Sequence, residues 1–149
     1  MKVTGLPKFT KELINLPFRV EDRKIYVNYF QDGVQAGFPS PAEDFKEIPL
    51  SLDEKYLYNP QATYLIKVAG SSMYPTLHIG DILIVRSDRS FTDGVIGIVS
   101  VNHTDFTVKR FDEKTKTLIS DNEDHPNIKI QEEDTLICLG VVNHLIRDL

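Results

Sequence analysis

The sequence predicts a mainly β domain, either barrel-like or built of curled antiparallel sheets, with one short helix and an extended N-terminal arm. Three observations predict it. Short β-rich runs recur between turn signals beyond residue 60, a single capping-box pattern stands ahead of them, and the first 49 residues are broken by proline and glycine. At 149 residues the chain fits one ordinary domain, which buries roughly two thirds of the surface its unfolded form exposes.

Residues 1 to 36 mix proline, glycine and charge with short apolar pieces such as Ile25-Tyr26-Val27 and Tyr29-Phe30, which are expected to pair at most as edge strands. From Gly37 to Pro49 the chain carries Pro39, Pro41 and Pro49, which fix φ and remove backbone donors. An extended linker without regular structure is expected there. Ser51-Leu52-Asp53-Glu54 has the Ser-x-x-Glu spacing of a capping box, and Asn59-Pro60 is a stop signal, so a helix of about two turns is expected between them. Seven strands are then expected: Thr63–Val68, Asp81–Arg86, Val95–Val101, Phe106–Phe111, Thr117–Ser120, Ile128–Ile130 and Leu136–Ile146. Repeats and low-complexity tracts are absent from the sequence.

Charge divides unevenly. Residues 1 to 36 hold six Lys/Arg against four Asp/Glu, a balance of +2, and the remaining 113 residues hold eleven against eighteen, a balance of −7. So acidic a body is poorly suited to tracking a phosphate backbone, which takes clustered cations. No direct sequence-specific DNA binding is expected. No apolar run nears the ~18 residues of a membrane span, and the N-terminus lacks the basic-then-apolar pattern of a secretory signal. A soluble cytoplasmic protein is expected. Cys138, the sole cysteine, lies in an apolar run and reads as a buried, inert thiol.

The segment that could carry chemistry is Gly70-Ser71-Ser72-Met73-Tyr74-Pro75, where a β run ends, two hydroxyls come next, and a proline-containing turn leads to Gly80-Asp81. Serine in such a turn ordinarily bonds its neighbours. Gly70, however, permits tight backbone geometry that would expose a serine and aim nearby N–H groups at one point. In Phe106-Thr107-Val108-Lys109-Arg110-Phe111, alternation puts Lys109 on one face with Thr107 and Phe111. Strand lysines are ordinarily solvated. A buried one loses proton affinity and can then take a proton from a serine hydroxyl. His78, His103, His125 and His144 show no ligand spacing, and Asp121, Asn122, Glu123 and Asp124 read as a solvated turn rather than a calcium loop. No metal and no cofactor are expected.

Taken together, Val34-Gln35-Ala36-Gly37-Phe38-Pro39-Ser40-Pro41-Ala42, Ala62-Thr63-Tyr64, Gly70-Ser71-Ser72-Met73, Gly80-Asp81, Phe106-Thr107-Val108-Lys109, Glu133-Asp134-Thr135-Leu136 and Gly140-Val141-Val142 resemble the self-cleaving serine peptidases of the LexA/UmuD type, and within them the UmuD branch. The resemblance spans residues 34 to 146. It implies the C-terminal peptidase fold of that family over residues 37–149, preceded by an arm of residues 1–36 that self-cleavage removes. It further implies Ser72 as nucleophile, Lys109 as general base, the backbone N–H groups of Ser71 and Ser72 as oxyanion hole, and Ala36-Gly37 as the cut bond. A small residue and a glycine at the cut let the substrate strand pass close to the serine, and tethering supplies a high effective concentration.

The implied partners are a second copy in a homodimer, a RecA filament on single-stranded DNA that stimulates cleavage, and a UmuC-type Y-family DNA polymerase subunit. The cleaved form would serve the last as an accessory subunit in error-prone translesion synthesis during the SOS response. A phage or plasmid self-cleaving regulator not tied to a polymerase, and a catalytically silent interaction module, are the alternatives. A LexA-like repressor is disfavoured because 36 breaker-rich residues cannot hold a helix-turn-helix domain. The chain departs from the family in having Ser71 where an acidic residue is common, in a turn from Met73 to Gly80 one residue shorter, and in about 20 unmatched N-terminal residues.

Overall fold

The computed structural model describes residues 7–20, 27–30 and 47–149. The chain falls into two compact units, one of residues up to Phe18 with Gln61–Leu149, the other Arg19–Pro60.

In the smaller unit, β2 (Val27–Phe30) pairs antiparallel with β3 (Glu47–Leu50), Val27 opposite Leu50 and Asn28 opposite Pro49. The expected linker therefore ends in regular structure. In a two-stranded ladder both strands are edges, the place in a sheet where proline is tolerated. Helix α1 (Leu52–Tyr56) comes next, shorter than the capping box predicted. Ser51 sits at the N-cap with extended backbone, yet its hydroxyl makes no cap hydrogen bond. The turn is held by the main chain instead: Lys55 N–H donates to Ser51 O at 3.0 Å and Leu57 N–H to Asp53 O at 2.9 Å. One backbone-closed turn without side-chain capping has little to propagate it.

The larger unit holds all seven expected strands and one more. Beyond a 3-10 turn at Pro60–Ala62 come β4 (Thr63–Val68), β5 (Ile82–Arg86), β6 (Ile96–Val101), β7 (Thr107–Asp112), β8 (Thr117–Ile119), β9 (Ile128–Lys129) and β10 (Leu136–Ile146). The additional strand is β1 (Leu13–Leu16), inside the segment read as an irregular arm. These form one curled antiparallel sheet in the order β1-β4-β5-β10-β6-β7-β8-β9. β10 serves two neighbours. Its first half pairs with β6 and its second with β5, with register shifts between Cys138 and Gly140 and between Val142 and His144. Such bulges bend a strand and raise its twist, which curls the sheet around its contents.

Both faces are covered where the sheet curls. Ile66, Val68, Leu83, Val85, Ile98, Val108 and Leu139 meet Leu13, Met73, Leu77 and Phe106 in the main core, while Val99, Phe111 and Leu118 form a second cluster. Ile98 and Val99 are adjacent and both fully buried, so β6 is apolar on both sides. The same double coverage explains why β7 alternates uncleanly. Cys138 is half-buried rather than fully so, and burial pushes its thiol up to about 11, which keeps it protonated and inert. Among the described residues no helix is long and apolar enough to cross a membrane, and no cluster of His, Cys, Asp and Glu has the makings of a metal site.

Candidate active site

The serine turn is anchored from below. Met73 and Leu77 are buried in the main core, and Leu77 N–H closes a turn onto Met73 O at 2.9 Å. Gly80 closes the excursion at φ +98°, a left-handed conformation that favours glycine, and its N–H returns to Val68 O at 2.8 Å. Asp81, 1% exposed, accepts from His78 N–H at 2.8 Å and from Arg147 Nε and Nη2 at 2.7 Å each. The Arg147 guanidinium holds the Asp81 carboxyl below the usual carboxylate range.

This scaffold leaves Ser72 1% exposed, with its Oγ 3.5 Å from Lys109 Nζ. Lys109 itself is 6% exposed on β7 and donates to Val108 O at 3.0 Å. The expectation that a strand lysine is solvated fails here because β7 is covered on both faces. Burial lowers the Lys109 pKa, and the nearby Glu12 carboxylate opposes that shift. Ser71 and Ser72 sit where the turn begins, and their N–H groups donate to no backbone carbonyl among the described residues. Ala36 and Gly37 lie outside the described residues.

Four groups that sequence reasoning missed complete the site. The Asn122 side chain donates to Ser71 O at 2.8 Å and its backbone N–H to Ser72 O at 3.0 Å, so the loop read as a solvated turn clamps both serines. Beside it, Asp121 accepts from Arg110 Nε at 2.9 Å and Nη2 at 2.7 Å and from the Thr76 hydroxyl at 2.6 Å, and these bonds depress its pKa. His125 Nε2 lies 3.3 Å from Ser71 Oγ. The fourth group is Glu12, to whose Oε2 the Ser72 hydroxyl donates. No local pattern marks any of the four, since each acts through a contact distant in sequence.

Gly70 also differs from expectation. Its φ is not left-handed; what the site uses is its missing side chain, because a Cβ there would come within 2.6 Å of Glu12 Cγ.

The curled antiparallel sheet thus buries the Ser72 hydroxyl against the Lys109 amine. Residues 28–143 match the family Peptidase S24-like. The chain is 35% identical over 121 residues to Protein MucA of Salmonella typhimurium, covering 79% of this chain and 82% of that one. It is 33% identical over 118 residues to Protein ImpA of Shigella flexneri, covering 78% and 81%. To the LexA repressor of Acidithiobacillus ferrooxidans (strain ATCC 23270) it is 42% identical over 120 residues, covering 76% of this chain and 58% of the repressor. The chain belongs to the S24-like peptidase family, the LexA/UmuD type that its motifs resemble.

Proposed function

We propose that the chain is a self-cleaving serine peptidase that cuts its own Ala36-Gly37 bond, with Ser72 as nucleophile and Lys109 as general base. The observation that carries this is the burial of Lys109 with its amine 3.5 Å from Ser72 Oγ. In the deprotonated state Lys109 Nζ takes the proton from Ser72 Oγ as that oxygen attacks the Ala36 carbonyl carbon. The N–H groups of Ser71 and Ser72 hold the resulting oxyanion, and Asn122, by donating to Ser71 O, fixes the peptide plane that carries the Ser72 N–H. Lys109 then returns the proton to the Gly37 amine as the peptide bond breaks. Water attacks the Ala36 acyl ester on Ser72, and its proton restores the dyad, leaving a carboxylate at Ala36.

Similarity to MucA, ImpA and LexA supports a role for this reaction in SOS mutagenesis, in the cytoplasm. There the trigger is a RecA filament on single-stranded DNA, and the homodimeric cleaved body joins a UmuC-type Y-family polymerase as its accessory subunit. The test is to incubate the purified chain from pH 7 to 10, with and without RecA filaments, and weigh the products. Fragments of 36 and 113 residues, missing in Ser72→Ala, are expected. An intact chain at every pH with activated RecA present rules the reaction out.

A further inference from the structure

Residues 8–16 cross the site as two extended pieces joined by a turn at Lys11 and Glu12, which Leu13 N–H closes onto Thr10 O at 3.2 Å. At one end Phe106 N–H donates to Lys8 O at 2.8 Å and Thr10 N–H to Phe106 O at 2.9 Å, a parallel bridge at the start of β7. At the other end β1 pairs antiparallel with the edge of β4, Leu13 opposite Val68 and Leu16 opposite Leu65, and Ala69 N–H donates to Glu12 O. Between the two anchors the chain passes Ser72. Leu13 is buried in the main core and Phe9 packs against it, so the segment is fastened by apolar side chains as well as by its backbone.

At the crossing point Glu12 enters the dyad. Its stem lies over Gly70, where any side chain would collide with it, and its Oε2 accepts the Ser72 hydroxyl. Three other charged or titratable groups face it: Lys109 on β7, His125 with Nδ1 3.9 Å from Glu12 Oε1, and Asp105, which lines the same cavity. That cavity, about 470 Å³, continues the groove past Thr10 and Glu12 toward Ser120 and Ile128. A peptide that adds a strand to the β4 edge, has backbone bonds on both sides of the nucleophile and carries one side chain to it on the turn between them uses the geometry of strand-addition recognition.

We propose that the β4 edge and Phe106 form the peptide-binding groove of this peptidase and that residues 8–16 are its resident occupant, a built-in competitor whose Glu12 side chain locks Ser72 until the strand is displaced. The inference rests on the self-cleavage reading for the identity of the nucleophile, and deepens it. In the locked state the Ser72 hydroxyl points its proton at a carboxylate instead of at Lys109. The same carboxylate favours the protonated form of Lys109, which cannot act as a base. The occupant lies on the N-terminal side of Ala36-Gly37, so cutting that bond also severs its covalent tether to the body.

The test compares the full chain with Glu12→Ala and Glu12→Gln, measuring by mass the rate at which a fluorophosphonate reagent modifies Ser72, with Ser72→Ala as the blank. Losing a hydrogen bond to a charged group corresponds to roughly a ten- to hundred-fold change, so Glu12→Ala is expected to label about ten-fold faster or more. Glu12→Gln, which keeps the stem over Gly70 and loses the charge, is expected to fall between. Amide exchange on the same proteins should show Ala69 and Phe106 protected in the unmodified chain. Equal or slower labelling in both variants overturns the inference, as does loop-like exchange at Ala69 and Phe106 in the unmodified chain. Fragment masses from the same samples report on self-cleavage separately. Faster labelling without fragments keeps the occupied groove and sinks self-cleavage, and fragments with unchanged labelling do the reverse.

Discussion

Lys109 Nζ stands 3.5 Å from Ser72 Oγ while donating to Val108 O at 3.0 Å. An amine so placed holds a proton it must lose before it can serve as a base. Burial favours that loss, lowering the pKa below the ordinary value of 10.5. The active fraction is the neutral amine, so cleavage should accelerate with rising pH and reach half its maximal rate below pH 10.5. Lys109→Arg keeps its proton throughout this range and should be silent at every pH, as should Lys109→Ala. Losses of about a thousand-fold or more are expected from the removal of a general base. Fragment masses across a pH series check this, and a half-maximal rate at or above pH 10.5 contradicts it.

Asn122 should matter more to rate than to stability. Its side chain donates to Ser71 O, which also accepts from Tyr74 N–H at 3.1 Å, so removing it leaves no orphaned carbonyl. Asn122→Ala should therefore cost about 1 kcal/mol of folding stability, the ordinary worth of one hydrogen bond. Cleavage should slow on the order of ten-fold, because small displacements of a nucleophile are amplified in the barrier. The pH of half-maximal rate should stay in place, since Lys109 keeps its burial. Urea unfolding beside a cleavage time course separates the two effects, and an unchanged rate in a variant destabilised by about 1 kcal/mol would remove Asn122 from the site.

The strands were legible because each is a β-rich run cut off by turn residues; Thr63–Val68 and Leu136–Ile146 match their predicted bounds to the residue. β1 was not legible. Leu13-Ile14-Asn15-Leu16 is only four residues long, runs into Pro17, and owes its conformation to the β4 edge, which is remote in sequence. The same reason hides Glu12 and Asn122, whose meaning depends on the register of β1 against β4 and on a loop folding over the serine turn. For Lys109 alternation assigned a face correctly but not its burial, because burial came from the curl of the whole sheet. Ser51 shows the opposite failure: the local pattern was present, and the backbone closed the turn without using it.

The bulge between Cys138 and Gly140 offers a test of how the sheet curls. A Cβ on Gly140 would lie 2.8 Å from Val85 Cγ1 and 2.9 Å from Arg86 O, the second a backbone atom that cannot step aside. Gly140→Ala should thus destabilise by about 1–3 kcal/mol, the range for overpacking a filled interior. Thermal or urea unfolding checks it. A neutral substitution would mean that β10 is less tightly pressed on β5 than its pairing implies.

Asp81 and Arg147 tie the end of the serine turn to the chain beyond β10. The carboxylate is buried and the guanidinium is about a third exposed, so removing the arginine strands a charge that keeps, among the described residues, only the His78 N–H. Arg147→Ala should be destabilising, by less than the full penalty for breaking an enclosed pair because water reaches the arginine side. The pH dependence has a definite sign. Arg147 depresses the folded-state pKa of Asp81, so the unfolded chain takes up a proton first as pH falls. The pair's contribution is complete above the ordinary carboxylate value near 4 and is lost as pH drops through the lower, folded-state value. Arg147→Ala should therefore be least stable relative to the parent at neutral pH, and the gap should narrow below about pH 4. Unfolding midpoints measured from about pH 7 to about pH 3 distinguish this from a simple packing loss, which would leave the gap constant.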